Sequence, residues 1–179
     1  FNGRHHELQP RGGRHGVLRL IRRLVEDTDP LIGSNAPLHE GALNAALGRL
    51  RRVSRPGSLI VLIGDFYGLD GESGNHLLHL RQHSDVVAIQ VVDPLEEAPP
   101  SAARYGVTGS GSRGILDTRS AVVRQAYHEY FDRHHREVAA IMRAHAIALL
   151  RLGTNEDIPA ALRRHFAART GPAPLEAAA

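Results

Sequence analysis

The chain has 179 residues, 42% of them hydrophobic, and a net charge of +3 that comes entirely from arginine, since the sequence contains no lysine. This length and composition predict a single domain with one core. The lack of cysteine excludes a disulfide framework and a thiolate metal site, and it favours a reducing, cytoplasmic location. No apolar run approaches the roughly 20 residues that cross a bilayer, so no membrane contact is predicted.

The arginines do not form the pattern of a nucleic-acid-binding surface. Arginine pairs at 22–23, 51–52 and 163–164 are separated and fall on predicted helices. Aromatic residues make up only 4% of the chain, so platforms for stacking of bases are scarce. A solvated helix face explains these pairs better, and no nucleic-acid partner is predicted.

The first part of the chain predicts two helices. Apolar residues from Val17 to Val25 follow helical spacing, and that helix ends before Pro30. A loop rich in turn residues follows. A second amphipathic helix runs through Leu43–Leu50, and Arg55–Gly57 then turns the chain into a strand.

Two apolar runs predict the sheet. Leu59–Ile63 has no polar alternation, so we predict a central parallel strand covered by helices on both faces, ending at Asp65. After a flexible loop at 68–74 and a short helix, Asp85–Val92 forms a second strand that ends at Asp93. Because the strands belong to one βαβ unit, both aspartates should face the same rim of the sheet.

A glycine-rich segment, Gly109–Gly114, matches the dinucleotide-binding fingerprint letter for letter, but its surroundings do not. That motif needs a buried strand before it and a helix that opens at its last glycine. Here Pro99–Pro100 and a polar loop precede it, and Ile115–Asp117 intervenes before the next helix. We therefore predict a hairpin turn between two short strands.

The last part of the chain predicts a long helix, a third strand and a final helix. The long helix covers about Arg119–His145, with Asp117 or Thr118 placed to cap it. The third strand is Ala146–Leu152, and Asp157 caps the helix that follows.

Polar residues are dense on the long helix. His128, Asp132 and His135 share one face at i, i+4 and i+7, and we interpret them as a solvated face rather than a metal site. His134 lies close to the apolar stripe and is predicted to be a hydrogen-bonded histidine of the core.

The two strand-end aspartates allow two interpretations. Carboxylates at adjacent strand ends can bind Mg²⁺ directly or through water. Alternatively, Asp93 starts a turn before Pro94, and Asp65 accepts hydrogen bonds from the loop amides that follow it. The capping interpretation is favoured, because a single carboxylate supplies one ligand where Mg²⁺ requires six.

Two segments together resemble a known family. Arg55–Phe66 and His83–Glu96 resemble the strand-end motifs of domain-of-unknown-function family 58, a bacterial family whose members carry a von Willebrand factor A-like domain. The resemblance implies an α/β, Rossmann-like, partly parallel open sheet with helices on both faces. Residues 1–168 would be the C-terminal portion of that domain and 169–179 a disordered tail. Roughly two or three further strands are expected before Phe1, since sheets usually hold more strands.

In the wider von Willebrand A superfamily, the carboxyl rim of the sheet holds a metal-ion-dependent adhesion site. Of its three elements, the Asp after a later strand matches Asp65. The Thr before a helix falls near Gly41, which has no side-chain oxygen, and the Asp-x-Ser-x-Ser loop has no counterpart. The resemblance therefore implies either no cofactor or weakly bound Mg²⁺ at Asp65.

The resemblance also implies a function. Members of the family are often encoded beside MoxR-type AAA+ ATPases, so the chain is expected to be a non-catalytic adaptor that acts with such an ATPase on a client protein. The recruiting surface would be the rim bearing Asp65, Asp93 and Glu96. The alternative is a metal-dependent hydrolase or phosphotransferase in which Asp65 or Asp93 anchors Mg²⁺. It lacks a recognisable nucleophile, general base or phosphate-binding element.

Overall fold

The computed structural model describes residues 6–28, 41–109 and 112–170. Within them six helices and five strands are defined. In chain order they are α1 (Gly13–Thr28), α2 (Ala42–Val53), β1 (Leu59–Gly64), α3 (Gly71–His83), β2 (Asp85–Val92), α4 (Pro94–Glu97), β3 (Arg104–Gly109), β4 (Ser112–Asp117), α5 (Ala121–Ala144), β5 (Ala148–Gly153) and α6 (Ile158–Thr170).

A parallel sheet of three strands forms the centre of the fold. Its order is β1-β2-β5, and both pairs are parallel. Leu59 lies opposite Asp85 and Gly64 opposite Gln90, so β1 and β2 pair in one continuous register over all six residues of β1. The predicted βαβ unit and the α/β, Rossmann-like class are confirmed, with helices on both faces of the sheet.

The prediction that Leu59–Ile63 is central is wrong for the described part of the chain. There β2 is the middle strand and β1 is an edge. On one face of β1, Ile60 is buried, whereas Leu59 and Ile63 on the other face are 66% and 68% exposed. A strand with one neighbouring strand and a strand with two can have the same apolar run in sequence, so the run does not distinguish an edge strand from a central one. The expected strands before Phe1 stay a prediction.

The main core lies between one face of the sheet and helices α2, α3 and α5. The opposite face carries a smaller cluster against α6. The larger cluster contains Leu47, Ile60, Phe66, Leu77, Leu80, Val86, Ala88, Val138, Met142 and Ile147, and the smaller one Ile89, Leu152 and Ala161.

The helix α3 begins earlier than the sequence suggested. Asp70 caps it, because its side chain accepts a hydrogen bond from the amide of Ser73 (2.8 Å) while the Ser73 hydroxyl accepts from the Asp70 amide. This reciprocal capping box orders residues 71–74, which were expected to form part of a flexible loop. Asn44 of α2 donates to both Asp70 carboxylate oxygens, at 3.2 and 2.9 Å, and so ties the two helices together.

The start of α5 also differs from the prediction. The N-cap position is Ser120, whose side chain makes no capping hydrogen bond. Asp117 instead pairs with Arg119, and the buried Thr118 hydroxyl donates to the backbone oxygen of Ser101. At α6, by contrast, the Asp157 carboxylate accepts from the amide of Ala160 at 3.0 Å, which confirms the predicted cap.

The hairpin prediction is confirmed. β3 and β4 pair antiparallel, with Arg104 opposite Asp117 and Gly109 opposite Ser112. The dinucleotide-binding interpretation of Gly109–Gly114 is thereby excluded, because the motif joins two antiparallel strands rather than a strand and a helix. None of the helices in the described ranges is long and apolar enough to span a membrane.

Leu77 gives a direct test of the core. It is fully buried on α3, whereas its neighbour Leu78 is 42% exposed. We expect Leu77→Ala to lower the free energy of unfolding by about 2–5 kcal/mol, since it leaves a cavity under the sheet. Urea denaturation measures this, and Leu78→Ala is the matched control, with an expected change of about 0.5 kcal/mol or less. Equal losses in the two variants would contradict the packing.

Candidate functional site

The parallel register brings the carboxyl ends of β1 and β2 to one edge of the sheet. Asp65 follows β1 directly, and Asp93 follows β2. Since Gly64 lies opposite Gln90, the two aspartates are at the same edge, as predicted. We call this surface the rim and define it by Asp65, Tyr67, Asp93, Glu96, Tyr127 and Tyr130.

Asp65 starts a tight turn after β1. Its carboxylate accepts a hydrogen bond from the Tyr67 amide at 3.2 Å, the loop contact that the capping interpretation predicts. Phe66, between them, has φ of 60° and is buried in the core. A non-glycine residue in this left-handed region carries strain of about 1–3 kcal/mol, which burial of the ring offsets. The turn leaves Asp65 and Tyr67 at the surface.

His134 of α5 attaches this turn to the rest of the fold. Its Nε2 donates to the backbone oxygen of Asp65 at 2.9 Å. Its ring also stacks on Tyr67, with centroids 3.8 Å apart and planes at 5°. The predicted hydrogen-bonded histidine is present, but it is only partly buried. It holds the β1–α3 loop against α5.

Asp93 is a helix cap. Its carboxylate accepts from the Leu95 amide at 2.9 Å, and the Asp93 amide donates to Glu96 at 3.5 Å, completing a capping box at α4. Thr154, after β5, donates to the second Asp93 oxygen at 3.3 Å. Both oxygens of Asp93 therefore have protein partners, in agreement with the turn interpretation.

Tyrosines stand beside the carboxylates. The rim holds three of the four tyrosines of the chain, and the Tyr127 hydroxyl donates to the backbone oxygen of Leu95 at 2.7 Å. Burial, and then the nearby Glu96 carboxylate, raise the pKa of Tyr67 to about 12. The same two causes raise the pKa of Tyr127. Both phenols are therefore uncharged at neutral pH.

The described residues do not complete a metal site at Asp65. Gly41, where the resemblance places a threonine, is the N-cap of α2 with φ of 80° and offers no side-chain ligand. Across the described ranges, no three His, Cys, Asp or Glu side chains are grouped to hold a metal ion. Asp65 alone supplies too few of the oxygen ligands that Mg²⁺ requires.

A cavity of about 710 Å³ opens between the β1–α3 loop and α5. Tyr67 and Tyr130 line it together with Arg133, His134 and Glu137. Because Tyr67 and Tyr130 belong to both features, the cavity is continuous with the rim. The surface there is concave and partly aromatic, and it carries charges of both signs, such as Arg133 and Glu137.

Sequence reasoning missed a buried polar pair beneath the rim. Gln90 of β2 is 1% exposed and His135 of α5 is 7% exposed, with Gln90 Nε2 3.1 Å from His135 Nδ1. His135 was expected on a solvated face, but it points into the core next to β2. The available signal was Gln90 itself, because a glutamine inside an otherwise apolar strand needs a buried partner.

His134 provides a test of the loop attachment. We expect His134→Ala to lower the free energy of unfolding by about 1–3 kcal/mol, the combined loss of one hydrogen bond and one stacked ring pair. The ring signals of Tyr67 in an NMR spectrum should also become those of a mobile side chain. His128→Ala, an exposed histidine of the same helix, is the control and should leave both measurements unchanged. Similar effects from the two variants would contradict the attachment.

Comparison with known proteins gives one family. The family model described as "Protein of unknown function DUF58" matches residues 2–137, which is most of the chain and includes β1, β2, the hairpin and most of α5. No curated protein and no solved structure matches the chain. The match covers both segments that carry the resemblance, and on this basis the chain belongs to the DUF58 family.

Proposed function

We propose that the chain is a non-catalytic adaptor whose rim binds a partner protein, a MoxR-type AAA+ ATPase, during the maturation or assembly of a client. The observation that carries the proposal is the composition of the rim. It combines exposed carboxylates with tyrosines around a cavity, on a surface that the β1–α3 loop and α5 hold in place.

The carboxylates of the rim have no basic partner within the described residues. Neither Asp65 nor Asp93 nor Glu96 forms an ion pair there, although the chain has 22 arginines. Elsewhere acidic side chains are paired, for example Asp117 with Arg119 at 2.6 Å and Asp132 with Arg136 at 3.4 Å. Unpaired surface charge of one sign attracts a partner of opposite charge, so we expect arginine or lysine on the partner surface.

The aromatic side chains of the rim support a protein partner. Tyr67 and Tyr130 are 37% and 54% exposed beside the cavity, and Phe131 contacts both Tyr127 and Tyr130. Tyrosine is enriched at binding hot spots because it buries a large surface with little loss of side-chain entropy.

The choice of ATPase rests on the family. The resemblance implies that members of this family are often encoded beside MoxR-type ATPases, and a von Willebrand A-like domain would be expected to bind partners at the carboxyl edge of its sheet. Both points support the proposal. The cytoplasmic location, where such an ATPase would work, is part of the same proposal.

Binding of the full-length protein to a MoxR-type ATPase encoded beside it on the genome tests the proposal. We expect Asp65→Asn combined with Glu96→Gln to weaken binding about tenfold, that is by about 1.4 kcal/mol. The wild-type affinity should also fall as salt rises. Isothermal titration calorimetry at two ionic strengths measures both effects.

Asp85 supplies the matched control. It is an exposed carboxylate at the opposite end of β2, so Asp85→Asn removes one negative charge from the other edge of the sheet and is matched to Asp65→Asn alone. It should leave the affinity unchanged. No binding by the wild type, or equal weakening by the rim and control variants, would contradict the proposal. Turnover of phosphate esters that Asp65→Ala abolishes would favour the hydrolase alternative instead.

A further inference from the structure

The Gln90–His135 pair is buried in the interface between α5 and β2. Gln90 Oε1 and His135 Nε2 are buried and have no hydrogen-bond partner among the described residues. The pair is a polar contact between the sheet and α5, the helix that carries Tyr127 and Tyr130. Its integrity therefore bears directly on the geometry of the rim.

Several charged groups face His135 from the surrounding elements. They are Arg151 of β5, His134 and Asp132 of α5, and Glu97 of α4. Burial lowers the pKa of His135 most, Arg151 and His134 lower it further, and the two acidic residues oppose this only in part. The ring is consequently neutral at neutral pH, with Nδ1 accepting a hydrogen from Gln90 Nε2.

Protonation of the ring disrupts this arrangement. A proton on Nδ1 faces the amide hydrogens of Gln90, so two donors oppose each other until the amide turns over. The hydrogen on Nε2 is present in both protonation states and has no acceptor within the described residues, so it offers no contact that would stabilise the added charge. A positive charge is then buried between α5 and β2, and Asp132 and Glu97 offset its cost only in part, which is unfavourable for the packed state.

We propose that the Gln90–His135 pair is an acid-sensitive latch, in which protonation of His135 loosens α5 from β2 and disassembles the rim. Loss of the rim follows because α5 holds Tyr127 and Tyr130 and attaches the Asp65 turn through His134. That this loss also releases a bound partner rests on the proposed function. The latch itself depends only on the buried pair.

The direction of the pH effect follows from the lowered pKa of His135. The unfolded chain takes up its proton near pH 6.5, while the folded chain does so only at lower pH. The stabilising contribution of the neutral pair is complete above about pH 6.5 and is lost as the pH falls below it. Asp70 and Asp117 have lowered pKa values, so their contributions are lost only below about pH 4.

Urea unfolding of the purified protein at pH 7.5 and 5.5 tests the latch. We expect the folded-to-unfolded equilibrium constant of the wild type to drop several-fold at the lower pH. The double variant Gln90→Leu with His135→Leu makes the interface apolar, so its equilibrium constant should fall much less between the two pH values. His128→Gln removes an exposed histidine of the same helix, and its equilibrium constant should fall as much as that of the wild type. Equal drops in all three proteins overturn the latch.

A second measurement needs no variant of the core. In an NMR titration of the wild type, the His135 ring should change protonation below the ordinary value of about 6.5. The ring signals of Tyr127 and Tyr130 should change in the same transition. Titration of His135 near 6.5 with unchanged tyrosine signals overturns the proposal even if the double variant does not fold.

Binding to the MoxR-type ATPase separates the latch from the proposed function. If the wild type binds at pH 7.5 and releases at pH 5.5 while the Gln90→Leu/His135→Leu variant stays bound, rim release is supported. Equal binding by the wild type at both pH values overturns rim release. If no binding occurs at pH 7.5, the adaptor proposal fails. The urea unfolding and NMR experiments then still test the latch, because they do not depend on a partner.

Discussion

The parallel register of β1 and β2 is the constraint on which the candidate site depends. With Gly64 opposite Gln90, the chain leaves both strands at one edge, and Asp65 and Asp93 reach the surface together. A shift of one residue would exchange the two faces of β1, exposing Ile60 and burying Leu59 and Ile63. The buried face therefore fixes the register, and the register fixes the position of the rim.

A single helix, α5, serves both the core and the rim. Val138 and Met142 pack on the sheet, His135 meets Gln90 within that interface, and Tyr130 and His134 reach the surface beside the β1–α3 loop. Because the same helix is held by apolar packing at one end and by polar contacts at the other, a change in its packing must alter the rim. Stability and the proposed binding function are thus coupled through α5.

The sequence predicts local structure well where a feature depends on neighbours along the chain. Leu59–Ile63 and Asp85–Val92 are short apolar runs bounded by turn residues, and Asp93 before proline is a typical cap. The position of a strand in the sheet depends on distant pairing, so the edge location of β1 could not be read from its own residues. His135 was missed for the same reason, since its partner Gln90 lies on another element.

The shared edge can be measured directly, because the chain has no cysteine to compete with introduced labels. Spin labels would be attached to two double-cysteine variants. The first carries Asp65→Cys and Asp93→Cys, and the second carries Asp65→Cys and Asp85→Cys. The parallel register puts the first pair within roughly 10 Å and the second at roughly 20 Å between Cα atoms. Electron paramagnetic resonance should therefore show stronger dipolar broadening for the 65/93 pair. Stronger broadening for the 65/85 pair would contradict the register and with it the rim.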